Sequence, residues 1–270
     1  WSSAKPLFAR GYGSGTSPMV IMGGGYDTCE DYDAGVAGGK NHNCNTSNAG
    51  TSPPPTKGNK VYVLDGATGA VLRAFDTVRS VVADVTIVRD STGMAIYAYT
   101  ADLGGNVYRI SFGNGAEASW TMTKIAALGC ATPAACTDSV ANRKFLFAPS
   151  VATTDNLTYH VMLGSGDREK PVSGYAATKS MTNYFFGFKD KPSDSGWLTS
   201  ENANCGANVI CMASLFQITT SATPTATDLN GKKGWALRLD PSEQVVTSAL
   251  TIFGAVTFST HQPAVYAANS

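Results

Sequence analysis

Four carboxylates crowd the stretch Y-D-T-C-E-D-Y-D-A-G: Asp27, Glu30, Asp31 and Asp33, followed by Gly35. A hard cation such as Ca2+ wants several oxygens converging on a sharp turn, so these four residues are the metal candidate and calcium the cofactor they would take. The competing reading is a solvated acidic loop stapled through Cys29. The six cysteines fall as Cys29 and Cys44, Cys130 and Cys136, Cys205 and Cys211, each pair inside a polar Gly/Ala/Asn-rich tract. Such local pairs suit disulfides that pin long surface loops in an oxidising compartment. A zinc site built from the last two pairs is the alternative, but zinc spacing is typically tighter, and His42, His160 and His261 show no ligand spacing.

Catalysis finds little to stand on. The two G-S-G runs, Gly13–Gly15 and Gly164–Gly166, lack the flanking glycine spacing of a nucleophile elbow, and neither a P-loop nor a dinucleotide fingerprint is present. His160 sits in the apolar run T-Y-H-V-M-L, which reads as packing rather than as a base. Asp84, Asp102, Asp167 and Asp240 each follow or precede a strand-like run beside a turn, where a carboxylate accepts hydrogen bonds from backbone N–H groups. Asp167–Arg168–Glu169 could in addition form a local ion pair.

The elements that would position these residues are strands. From Lys57 to Phe112, short apolar runs (Val61–Leu64, Val71–Phe75, Val82–Val88, Ile96–Thr100, Val107–Phe112) alternate with Gly, Asp and Asn clusters. V-Y-V-L-D-G-A-T-G-A-V-L reads as a hairpin turning on Asp65, Gly66 and Gly69, and Y-T-A-D-L-G-G-N-V-Y-R-I as a second turning at Asp102 and Gly104–Gly105. A third unit, V-M-L-G-S-G-D followed by N-Y-F-F-G-F-K-D, shares the plan: an apolar strand ends in glycines and an aromatic strand returns. Within it, alternation sets Phe185 on one face and Phe186 and Phe188 on the other, with Tyr184 in the same aromatic run. Trp1–Gly25 reads as two strands, Trp120–Leu128 as an outer strand, and Gly234–Pro263 as two or three strands around Asp240–Pro241.

Recurring hairpins of this kind predict an all-β chain, a modified or partial β-propeller of roughly three to four blades. Residues 1–270 read as one propeller domain or a fragment of one, with loop insertions at 26–56 and 191–211. An open propeller exposes strand edges, so further blades upstream or another chain are expected to cover the gap. Charge is low and balanced, 20 basic against 20 acidic residues in a chain 15% charged, which gives no signature of nucleic acid or an anionic membrane surface. No apolar run reaches the roughly 20 residues of a membrane span.

The run Gly23–Phe112, V-M-L-G-S-G-D-R-E (Val161–Glu169), F-F-G-F-K-D (Phe185–Asp190) and V-V-T-S-A-L-T-I-F-G-A-V-T-F-S-T (Val245–Thr260) together resemble the C-terminal propeller of the type IV pilus tip proteins, the neisserial PilC and PilY-type adhesins. The resemblance implies a secreted, non-enzymatic protein exported through the periplasm to the cell surface and the pilus tip. There it would promote pilus assembly, oppose retraction, and mediate adhesion and twitching motility. Minor pilins or the tip complex, and a host or abiotic surface, would be its partners. The family's propeller carries a calcium loop of D-x-D-x-D-x-x-x-D type; the matching interval here is V-R-D-S-T-G-M. Only Asp90 remains, and one carboxylate falls short of the about six to eight oxygens Ca2+ takes, so the resemblance implies that this switch is lost.

A quinoprotein-type dehydrogenase is the rival, since V-Y-V-L-D-G-A-T-G resembles a blade repeat of that class. Its blades carry Trp where this chain has Phe75, however, and no adjacent Cys–Cys pair is present. A structural subunit of an extracellular filament is a further alternative. The excursions Tyr26–Thr56 and Lys191–Cys211 are the segments expected to meet partners, because propeller loops vary while blades act as scaffold.

Overall fold

The computed structural model describes residues 2–30, 57–135, 143–171, 181–219 and 223–263. The first blade is a four-stranded antiparallel meander of β1 (Lys5–Leu7), β2 (Met19–Gly23), β3 (Lys60–Asp65) and β4 (Val71–Asp76), paired in chain order. The second repeats it with β5 (Thr86–Arg89), β6 (Ala95–Ala101), β7 (Asn106–Ser111) and β8 (Thr121–Ala127). Strands β9 (Ser150–Thr153), β10 (Tyr159–Gly164) and β11 (Tyr184–Asp190) begin the third, which β13 (Gly234–Arg238) and β12 (Leu215–Ile218) complete. There β12 lies parallel to β13 and takes the edge.

The β3–β4 turn is built from the residues that the pattern singles out. Asp65 Oδ1 accepts from the N–H groups of Ala67 and Thr68, and Gly69 takes a left-handed φ of 74°. Asp155 caps the β9–β10 turn in the same way, through the N–H groups of Leu157 and Thr158. The glycines that end the inner strands have a steric cause. A Cβ on Gly23 would meet Val81 at 2.6 Å, one on Gly105 would meet the Gly129 backbone at 2.4 Å, and one on Gly164 would meet Val245 at 2.2 Å. In all three units a later segment crosses the end of a strand closer than any side chain permits.

Two cores lie between the blades. Leu7, Met19, Ile21, Val61, Val63, Ile110, Phe112 and Trp120 fill the space between the first and second. Tyr99, Val107, Ile125, Phe145, Tyr159, Leu163 and Phe188 fill that between the second and third. On β11 the alternation is as expected: Tyr184, Phe186 and Phe188 face the second blade. Phe185 turns outward and stacks on Phe258 with ring centroids 3.8 Å apart. That outer face is covered by two short antiparallel pairs, β14 (Gln244–Val245) with β17 (Thr260–His261), and between them the hairpin of β15 (Leu250–Ile252) with β16 (Ala255–Thr257).

Three local expectations need correcting. The C-terminal stretch forms β13 and four further short strands, more than the two or three read from its pattern, because Ser242 and Phe253 adopt positive φ and break it into small turns. Of Val82–Val88 only residues 86–88 are strand, the first three of β5. Upstream, Val81 instead donates to the Gly58 carbonyl and accepts from Gly25, which ties down the crossing between blades. The excursion at 191–211 is not wholly irregular: it holds two helical turns, α1 (Gly196–Thr199) and α2 (Asn202–Cys205). Asp194 accepts from Gly196 N at the start of α1, and Gly206 ends α2 in the left-handed region. Trp197 anchors the turns by donating to the Lys189 carbonyl at 2.9 Å, with the Lys233 ammonium 3.7 Å from its ring centroid.

Phe186 is fully buried between two blades, so Phe186→Ala is expected to lower unfolding stability by about 3–5 kcal/mol in urea titrations. Phe253, at 105% relative exposure, is its control; Phe253→Ser should change stability by about 0.5 kcal/mol at most.

Candidate functional site

Glu30, from the acidic cluster, is completely buried. Its Oε2 accepts from Arg79 Nε at 2.7 Å and from the Arg79 terminal nitrogen, and its Oε1 accepts from Ser80 N at 3.1 Å. Arg79 is equally buried and stands in the link from the first blade to the second. Asp27, also buried, accepts from Lys57 N at 2.8 Å. The structure therefore commits Glu30 to an arginine and Asp27 to a backbone amide. Asp31 and Asp33 lie outside the described residues, as do Cys44 and Cys136.

The same link meets the second blade through Asp102. Its carboxylate accepts from the N–H groups of Gly104, Asn106 and Arg79, from the Asn106 side-chain amide, and from Tyr108 Oη at 2.8 Å. Tyr108 Oη in turn accepts from Val78 N. Burial pushes the Asp102 carboxyl above its ordinary value, and the Asn106 and Tyr108 donors pull against that rise. The expectation for a turn carboxylate holds here, and the geometry adds a reach into the preceding blade.

Between the second and third blades, Asp190 at the end of β11 receives two bonds from Arg109 Nη1, at 2.7 and 2.8 Å, and one from Tyr99 Oη at 2.9 Å. Burial is the main cause that raises the Tyr99 phenol, so it stays a donor.

The residues just before β1, β5, β9 and β15 converge on one cleft of ≈ 470 Å³, to which Ser3, Asp84, Phe147 and Ser248 each bring a side chain. The first strands of the three blades and β15 thus start around one central cleft. Asp84 accepts from Ser3 N and pairs with Lys5 at 2.9 Å. At the rim, Lys144 is almost fully buried and holds Asp167 at 3.1 Å and Glu169 at 2.6 Å. The ion pair expected inside Asp167–Arg168–Glu169 is therefore made to Lys144 instead, while Arg168 lies over the Phe147 ring, 5.4 Å from its centroid. Burial pushes the Asp167 carboxyl up to about 6; Lys144 opposes the shift and Glu169 adds to it. Asp240 contributes its N–H, donated to Glu243 Oε2, rather than a carboxylate contact.

In the loop that the resemblance matches to a calcium site, Asp90 Oδ1 accepts from Thr92 N, Thr92 Oγ1 and Met94 N, and Oδ2 pairs with Arg10. The cation facing Asp90 is a guanidinium of the same chain. The donor set does not fit a calcium ion, since its one carboxylate is already filled. Among the described residues no group of three or more His, Cys, Asp or Glu side chains is placed to hold a metal. Cys205 and Cys211 form a disulfide with Cα atoms 5.8 Å apart, and Cys130 is also disulfide-bonded, so these three are not free to bind zinc. His160 is half-buried on β10 opposite Lys189 and Ala152, and burial lowers its pKa.

Sequence reading missed Arg79, Arg109, Lys144 and Asp190. A signal was there: in a chain with few charges, V-R-S-V-V-A, V-Y-R-I-S-F and R-K-F-L-F each set a cation inside an apolar run, where burial requires a counter-ion.

Blades arranged about a central cleft and locked by buried cross-blade ion pairs define the chain as a partial β-propeller. No protein-family model matches it, and no curated protein matches its sequence. Among solved structures it is similar to the crystal structure of the Pseudomonas aeruginosa PilY1 C-terminal domain, with a TM-score of 0.56 at 16% identity, over 97% of this chain and 67% of that one. At this identity the likeness is one of fold.

Removing one member of the buried pair leaves an uncompensated charge. Glu30→Gln or Arg79→Met should each cost about 3–5 kcal/mol in chemical denaturation, and the double variant less than the sum of the two. Asp90 gives a pH signature. Hydrogen bonding from Thr92 and the Arg10 pairing lower its folded pKa to about 2, below the unfolded value. Its contribution is therefore full above about pH 4 and disappears as pH falls toward 2. Melting curves across that window should show a loss of stability that is smaller in Asp90→Asn.

Proposed function

We propose that this chain is the propeller of a type IV pilus-associated adhesin and assembly factor that acts at the pilus tip by binding rather than by catalysis. The observation that carries the reading is the fold likeness to the PilY1 C-terminal domain along 97% of the chain, joined to the ordered motifs Val161–Glu169, Phe185–Asp190 and Val245–Thr260. The Cys205–Cys211 disulfide supports passage through an oxidising compartment such as the periplasm on the way to the cell surface. No helix among the described residues is long and apolar enough to cross a membrane. In this proposal the blades are scaffold. The excursions Tyr26–Thr56 and Lys191–Cys211 meet minor pilins or the surface to which the cell attaches, and binding there favours pilus extension over retraction.

The test is a count of surface pili and attached cells in a strain lacking the gene, with and without a block on retraction. Piliation and attachment should fall, and piliation should return when retraction is blocked. Unchanged pili and attachment would leave only the fold, and reopen the dehydrogenase and filament readings.

A further inference from the structure

A second cleft, of ≈ 580 Å³, opens between the first and second blades; Asn59, Asp76, Val78, Tyr108, Met122 and Lys124 line it. Lys124, on β8, is half-buried, and among the described residues its ammonium makes no hydrogen bond and no ion pair. That sets it apart from the other lysines drawn into the fold. Lys144 has Asp167 and Glu169, Lys233 has Glu201, and Lys60 has Asp76. Neither carboxylate near Lys124 is its ion-pair partner. Asp76 is held by Lys60, and Asp102, which acts on Lys124 only through space, is filled by Asn106, Tyr108 and backbone donors. Burial consequently lowers the pKa of the Lys124 amine. A half-desolvated cation without an acceptor is unfavourable for the fold alone, so an acceptor supplied from outside would relieve it.

The walls narrow the chemistry. The Asn59 side-chain amide makes no hydrogen bond among the described residues and is a second donor. Neighbouring backbone donors are spent: Thr77 N donates to the Asn59 carbonyl, and Val78 N to Tyr108 Oη. Val78 and Met122 offer apolar surface. One ammonium and one amide match the two oxygens of a carboxylate, whereas a phosphate, which lysine also binds, would bring more oxygens than these two donors can meet. We propose that this cleft binds a carboxylate carried on a short apolar stem, with Lys124 as its counter-ion and Asn59 as the second donor. The ligand is either a small free acid or the C-terminus of a peptide. The inference does not depend on the pilus reading.

The probes are butyrate, the tripeptide Ala-Ala-Val with a free C-terminus, the same tripeptide amidated, and inorganic phosphate at matched ionic strength. The readout is NMR of protein carrying 13C at lysine Cε and methionine methyl positions, with Lys124 assigned through Lys124→Arg. Lys124 should titrate below the ordinary lysine value. Saturating butyrate or free-acid tripeptide should raise its midpoint and shift the Met122 methyl, while phosphate and the amidated tripeptide do neither. Butyrate alone acting identifies a small acid, and tighter binding of the free tripeptide identifies a protein terminus. Lys124→Met should bind about tenfold more weakly or worse, and should melt at the same or a higher temperature, because a desolvated charge has been removed. Asn59→Ala gives a milder loss. The proposal is overturned if neither carboxylate produces a saturable shift, if phosphate matches them, or if Lys124→Met binds as the wild type does.

Discussion

A carboxylate and a guanidinium that are both withdrawn completely from water must find each other, and the junction of the first two blades depends on that requirement. Glu30 and Arg79 come from segments separated by the whole of the first blade's outer hairpin. Neither is tolerable in place without the other, so the chain entering the second blade has one acceptable position. Around them, Ser80, Asp102, Asn106 and Tyr108 use nearly every donor and acceptor that the crossing leaves, so the network confers a register as well as attraction. Asp190, Arg109 and Tyr99 serve the next junction. In both cases apolar packing supplies adhesion between sheets that could otherwise slide, and the buried charges fix where they stop.

Much of the architecture could be read from local pattern. Period-two alternation, Asp-Gly turns and strand-ending glycines placed the hairpins, because each is decided by residues a few positions apart. The alternation also sorted Phe185 from Phe186 and Phe188 correctly. The pairing of β12 parallel to β13 was not legible, since it depends on where the helical turns α1 and α2 return the chain. The polar sites divide in the same way. Asp102 as a turn acceptor is a local fact and was readable. Lys144 reaching Asp167 and Glu169, or Arg10 reaching Asp90, joins distant segments that no spacing rule connects. Within the acidic cluster the fate of Glu30 was hidden in the same way, since it belongs to an arginine far along the chain.

The central cleft and the cleft beside Lys124 differ in electrostatic logic. Around the central one Lys5, Lys144 and Arg168 sit among Asp84, Asp167 and Glu169, so positive and negative groups alternate and largely satisfy one another. Between the blades a single cation stands without its complement. The first arrangement is what holds strand ends around a centre; the second is what a fold carries at a cost to itself.

The hydrogen bond from Lys57 N to Asp27 Oδ2 has a wider consequence. It joins the chain just before residues 28–56 to the chain just after them, while Glu30 fixes the root of that segment to the blade junction. A segment whose two ends are already clamped together is thermodynamically a cassette. Each doubling of the length between the two clamps adds only about 0.6 kcal/mol of closure entropy. Through such a socket a loop of another length or sequence could be grafted between Glu30 and Lys57 with both clamps left in place.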